Sequence, residues 1–112
     1  MTDDVCEALE AATGFDWDDG NASKVAVRHN VQPGECEQVF FREPFVVNHD
    51  ERHSKAEIRL QALGRTTGDR WLFLVFTLRG TLIRVLQARE MNRKERIRYA
   101  EIQARVAKDS DL

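Results

Sequence analysis

The sequence predicts an α+β domain: one twisted antiparallel sheet of about four strands, with two N-terminal helices and one C-terminal helix, the helices mainly on one face. Three observations carry this. A chain of 112 residues suits one domain. Apolar residues recur at helical spacing before Pro44 and after Met91. Between them the pattern changes to strand-like alternation and short apolar runs, joined by turns brief enough to make neighbours antiparallel.

Residues 1–14 read as an N-terminal extension, and residues 15–108 as a single domain. In the extension Val5, Leu9 and Ala12 are spaced for a short helix that Thr13-Gly14 ends. Phe15-Asp16-Trp17 alternates as a brief strand does. Asp18 is placed to cap the next helix, with Asp19 in its first turn. Ala22, Val25, Ala26 and His29 form the apolar face of that helix. Lys24 and Arg28 lie toward its C-terminal end, where cations are favoured, and Asn30 suits the left-handed position after it. Pro33 opens a second short helix with Cys36, Val39 and Phe40 inward, which must stop before Pro44.

Phe45-Val46-Val47 begins the strands, and the polar stretch Asn48 to Lys55 reads as a loop. Glu57 to Leu63 alternates, with Ile58, Leu60 and Ala62 on one face and Glu57, Arg59 and Gln61 on the other. Residues 64–69 are rich in turn formers. Trp71 to Leu78 is almost wholly apolar, as in a central strand covered on both faces. Arg79-Gly80 forms a tight turn into a last strand, Thr81 to Arg89, with Arg84 inside it. Asn92 and Glu95 have capping-box spacing at the start of the final helix. Met91, Tyr99, Ile102 and Val106 make its apolar stripe, and Asp109 to Leu112 a frayed tail.

Hydrophobic residues make up 42% and charged residues 32%, which excludes a disordered chain. No apolar run approaches the ~20 residues of a membrane helix. Met1-Thr2-Asp3-Asp4 lacks the basic start and apolar stretch of a secretion signal, so a cytoplasmic protein is expected. Two cysteines, Cys6 and Cys36, are too few for a disulfide framework or a zinc site, and no metal is expected. The formal charge of −2 hides an asymmetry: residues 1–52 carry 12 acidic and 4 basic side chains, and residues 53–112 carry 7 acidic and 13 basic. Ten of those 13 are arginine, the side chain that meets phosphate with a planar pair of donors. A polyanion partner and a salt-bridged, solvated surface both account for such a half.

Several segments together resemble the BrnT family of toxins from type II toxin–antitoxin systems. They are Phe15-Asp16-Trp17-Asp18, Arg28-His29 followed by Val31, Phe41-Arg42-Glu43-Pro44, His53-Ser54 with Glu57 and Arg59, and Gly64-Arg65-Thr66-Thr67-Gly68. Phe76-Thr77 with Arg79-Gly80 follows, then Ile83-Arg84-Val85 leading to Ala88-Arg89, and Met91, Glu95, Arg96 and Tyr99. Order and spacing hold from about residue 15 to residue 100. The resemblance implies a RelE-like fold and a ribonuclease with no metal cofactor. It also implies a BrnA-type antitoxin that masks the toxin and carries the DNA-binding function, so that operator DNA is met only through the antitoxin. The chain departs from the family's usual pattern at Asn21, Val25 and Asn30.

RNA is cut when its 2′-hydroxyl attacks the adjacent phosphate. That reaction needs a base for the hydroxyl proton, an acid for the leaving oxygen, and cations on the phosphate. His53 or Glu57 is expected as the base, with Arg59, Arg79 and Arg84 holding the phosphate of free or ribosome-bound RNA. Arg89, Arg93, Lys94 and Arg98 are expected to meet RNA or an acidic antitoxin surface. Each has a duller reading. His53 can cap a turn, Glu57 and Arg59 can pair across strands, Arg84 can be a buried ion-pair member, and His29 can be a packed helix-end residue. Trp17 and Trp71 are aromatic enough to stack on bases, though core packing suits Trp71 better. Two other functions fit the same residues: a catalytically silent antitoxin-binding module in operon autoregulation, and a non-catalytic nucleic-acid-binding protein.

Overall fold

The computed structural model describes residues 7–49 and 57–110. Residues 7–10 are helical (α1). They are followed by β1 (Gly14–Phe15), α2 (Ala22–His29), α3 (Pro33–Val39), β2 (Val46–His49), β3 (Leu60–Arg65), β4 (Trp71–Arg79), β5 (Leu82–Glu90) and α4 (Arg93–Ser110). The five strands form one sheet in the order β1-β5-β4-β3-β2. All neighbours are antiparallel except β1, which runs parallel to β5 through Gly14↔Leu82 and Phe15↔Ile83. The fold is α+β as expected, but among the described residues it has a mixed sheet of five strands instead of four antiparallel ones, and four helices instead of three. The alternation at Phe15-Asp16-Trp17 hints at a brief strand, but its parallel pairing with a partner almost seventy residues away leaves no periodic trace in sequence.

Alternation along the strands builds two unlike faces. Leu60, Leu72, Leu74, Phe76, Ile83 and Val85 point to one face and meet Val25 of α2 and Cys36 and Val39 of α3. Phe76 is fully buried there, with Phe40 edge-on at 5.1 Å. Gly64 of β3 lets α3 come close, because a Cβ at that position would overlap Val39 Cγ1. On the other face Leu63 and Phe73 meet Tyr99 of α4, with Trp71 edge-on to the Tyr99 ring at 4.9 Å. Tyr99 is fully buried and donates its hydroxyl to the Pro44 carbonyl at 2.6 Å. The helices therefore divide between the faces, with α4 opposite α2 and α3, and are not gathered on one.

Local signals set the element ends. Gln32 and Glu35 form a capping box at Pro33, and Asn30 takes the left-handed conformation (φ 54°) after α2. Asn92 and Glu95 cap α4 reciprocally, each bond 2.9 Å. The β4–β5 turn is Gly80-Thr81, with φ +61° at Gly80, one residue later than read from the sequence. β3 covers Leu60–Arg65, not residues 57–63. The Ile58 carbonyl is taken by the Thr77 hydroxyl at 2.6 Å, so pairing starts after it, and Ile58 is 59% exposed. Asp18 does not cap α2; Asn21 holds that position, and the Asp18 carboxylate is engaged elsewhere.

Candidate active site

β1 ends at Phe15, so the outer edge of β5 soon runs past it. Asn21 takes over the edge. Its amide nitrogen donates to the Val85 and Asp16 carbonyls, each at 3.0 Å, and its amide oxygen accepts from the Asp18 backbone at 2.8 Å. Asn21 is 2% exposed, and these three bonds hold the start of α2 against β5. Opposite this point β5 carries one extra residue, Leu86, so that Val75 faces Gln87 while Phe76 faces Val85. Such a bulge bends the strand and re-aims its side chains.

The result is a cleft of about 250 Å³ between α2 and the sheet. Lys24, Arg28 and His29 line it from α2, Arg59 from the chain entering β3, Val75 from β4, and Arg84 and Gln87 from β5. Lys24 and Arg28 stand one turn apart, and α2 has no acidic residue in its first turn. Like charges at this spacing cost a helix about 0.2–0.5 kcal/mol, an arrangement that suits an anion's arrival.

Arg84 forms the floor. It is 8% exposed, and its two terminal nitrogens bind the Asp18 carboxylate in a fork, both at 3.0 Å. Asp16 Oδ1 lies 3.5 Å from Nη1. The Arg84 hydrogen bond, against a smaller opposing effect of desolvation, holds the Asp18 carboxyl below its ordinary value, and Asp18 raises Arg84 in return. Arg84 thereby fastens the loop that leads into α2.

Arg59 and Arg84 thus meet in one cleft, as the strand reading expected. Arg79 and Glu57 are not part of its lining; they pair with each other, Nε to Oε2, at 3.6 Å. His53 lies outside the described residues. Arg89 is bound in a fork to Glu95 at 2.8 and 2.9 Å and lies 4.1 Å over the Phe73 ring. Arg93, Lys94 and Arg98 are exposed on the first turns of α4. His29 is exposed as well, so it is not the packed helix-end residue its spacing suggested. Trp17 donates its indole N–H to Glu37 at 2.7 Å. Among the described residues no three His, Cys, Asp or Glu side chains converge to hold a metal ion, and no helix is long and apolar enough to cross a membrane.

Cations and an imidazole around a small cleft can hold a phosphate ester and move a proton beside it. A family model described as the ribonuclease toxin BrnT of type II toxin–antitoxin systems matches residues 17–95. The chain belongs to the BrnT family. That match begins at Trp17, just before the Asp18 loop, and ends at Glu95, the capping residue of α4, so every cleft residue falls within the BrnT span. The BrnT description supplies a ribonuclease role and an antitoxin partner at the level of the family. Among curated proteins none matches the chain.

Sequence reasoning missed three contributors to the cleft: Lys24, Arg28 and His29. Lys24 and Arg28 had an adequate explanation as dipole partners at a helix end, and His29 as a packed residue there. The signal that could have found them was the Lys-x-x-x-Arg spacing, which puts two cations on one side of a helix with nothing acidic between them.

Proposed function

We propose that this chain is a metal-independent endoribonuclease toxin that cuts RNA in the α2–sheet cleft and is silenced by a BrnA-type antitoxin. One observation supports this above the rest: Lys24, Arg28, Arg59 and Arg84 share a single small cleft with His29. In this reading Lys24, Arg28 and Arg59 hold the scissile phosphate and offset the charge that builds on it. Arg84, its charge met by Asp18 and Asp16, keeps the Asp18 loop in place at the floor of the cleft. His29 and His53 divide the proton work: one takes the proton of the attacking 2′-hydroxyl, and the other returns one to the leaving 5′-oxygen. Glu57, paired with Arg79, steadies the chain leading into Arg59. The antitoxin covers the basic cleft and brings the complex to operator DNA, and the substrate is cytoplasmic RNA, free or on the ribosome.

The test is incubation of the purified chain with total RNA in the presence of a chelator. Cleavage is expected to survive chelation, because the cleft's own cations supply the positive charge. His29→Ala and His53→Ala are each expected to slow it by about 10²–10⁴-fold, the usual worth of a positioned acid or base. Intact RNA from a folded wild-type chain would move the assignment to the antitoxin-binding module.

A further inference from the structure

The sheet face that carries the cleft does not end at β4. Strand register places Asn48 of β2 opposite Gln61 of β3, Gln61 opposite Val75 of β4, and Val75 opposite Gln87 of β5. Directly paired residues project to the same face, so these four form one row across the sheet. At strand spacings of about 4.8 Å the row is roughly 14 Å long. Its β4–β5 end, Val75 and Gln87, lies in the cleft beside α2. Its β2–β3 end, Asn48 and Gln61, lines a second cleft of about 440 Å³ beside the first turns of α4, with Lys94 and Arg98 on the rim. The two clefts therefore lie toward the two ends of one row of paired residues, with the buried Val75 between Gln61 and Gln87.

The rims match. α2 presents Lys24 and Arg28 to one end, and α4 presents Lys94 and Arg98 to the other, each pair one helical turn apart. Glu95, which also lines the second cleft, does not cancel that charge, because Arg89 already engages both its carboxylate oxygens. Along the row Asn48 and Gln87 are exposed and Gln61 is half-buried. Among the described residues none of these three amide side chains has a hydrogen-bond partner. Each carries both donor and acceptor, the combination that pairs with the edge of an unstacked base.

We propose that the second cleft is a nucleotide subsite for the same RNA strand. Lys94 and Arg98 hold a phosphate further along the strand from the scissile one, and Asn48 and Gln61 hydrogen-bond to the edge of its base. The proposal rests on the reading of the first cleft as the place of cleavage. It adds that base preference is set some distance from the cut, at the opposite end of the row. Phosphate contacts position a strand and edge contacts specify it, so the two pairs of residues have separable effects.

The probe is a single-stranded RNA oligonucleotide bearing 2′-O-methyl groups throughout, which binds but cannot be cut, followed by fluorescence anisotropy. Lys94→Ala with Arg98→Ala is expected to weaken binding tenfold or more and to flatten the log–log salt dependence by about 0.7 for each phosphate no longer neutralised. Asn48→Ala with Gln61→Ala is expected to keep the salt dependence but erase the preference among oligonucleotides differing at one base. If that pair folds poorly, Asn48→Ala alone carries the test, since Asn48 is exposed. The subsite is overturned if the wild type does not bind the probe, or if the variants bind it with unchanged affinity, salt dependence and base preference. It is also overturned if Lys94→Ala with Arg98→Ala loses only antitoxin binding. Probe binding that depends on these residues, in a chain that leaves total RNA intact, would keep the subsite and remove the cleavage reading.

Discussion

The two faces of the sheet are made by alternate residues of the same strands, yet they differ in almost every respect. One is closed: Leu72, Leu74 and Phe76 are fully buried under α2 and α3. The other is half open: α4 covers Leu63 and Phe73 but leaves Gln87 exposed and Gln61 half-buried, each beside a basic rim. Stability is concentrated on the first face, and the residues proposed to meet RNA lie on the second. A strand with period two lets both be encoded in one stretch of chain without compromise between them.

Substitutions that exchange the roles of the faces should expose the difference. The largest effect is expected from Phe76→Ala, which removes a fully buried ring and should cost about 3–5 kcal/mol in chemical denaturation. Gln87→Ala, on the open face and close by in β5, should stay within about 0.5 kcal/mol. Comparable losses from both would dissolve the distinction. Next comes Gly64→Ala: its added methyl meets Val39, and overpacking of this kind costs about 1–3 kcal/mol with no effect on RNA affinity beyond that of stability. Tyr99→Phe keeps the ring that covers the open face but strips the hydroxyl from the Pro44 carbonyl, for a loss of about 1 kcal/mol in the same assay.

The smallest effect is one of pH. Asp18 and Glu95 both lie below their ordinary values of 3.8 and 4.5. For Asp18 the main cause is the Arg84 hydrogen bond. For Glu95 burial pushes upward, and the bonds from Arg89 and the Asn92 backbone outweigh it. A carboxyl depressed in the folded state contributes its stability in full above its unfolded value, and loses it as pH falls through the folded one. Thermal stability should therefore decline as pH drops below those ordinary values, and Asp18→Asn and Glu95→Gln should each make that decline shallower. An unchanged acid limb in both variants would mean these pairs add nothing to folding.

Much of the closed face was legible because burial leaves periodicity. The apolar run from Trp71, the alternation in Leu60 to Ala62 and the Asn92–Glu95 capping box all announce themselves locally. The open face was legible only in fragments. Arg59 and Arg84 stood out as cations in or beside apolar strands, and they do share the cleft. Lys24 and Arg28 reach it because α2 lies along the β5 edge, which depends on the parallel pairing of the short first strand and on the Asn21 bond, neither of which has a sequence period. Arg79 teaches the opposite: it sits two strand residues beyond Thr77, in an arginine-rich stretch, but pairs with Glu57 away from the cleft.

The Asn21 amide has one more effect, on how copies of the chain behave toward each other. An uncovered strand edge is a template on which another chain can add a strand, and long apolar edges invite aggregation. β5 is nine residues long, five of them apolar, and β1 shields only its beginning. By placing a side-chain donor on the Val85 carbonyl and a helix alongside, Asn21 occupies a bonding position that an incoming strand would need. A chain lacking that amide should retain its sheet yet become adhesive, and the first sign would be loss of soluble protein at high concentration instead of a fall in melting temperature.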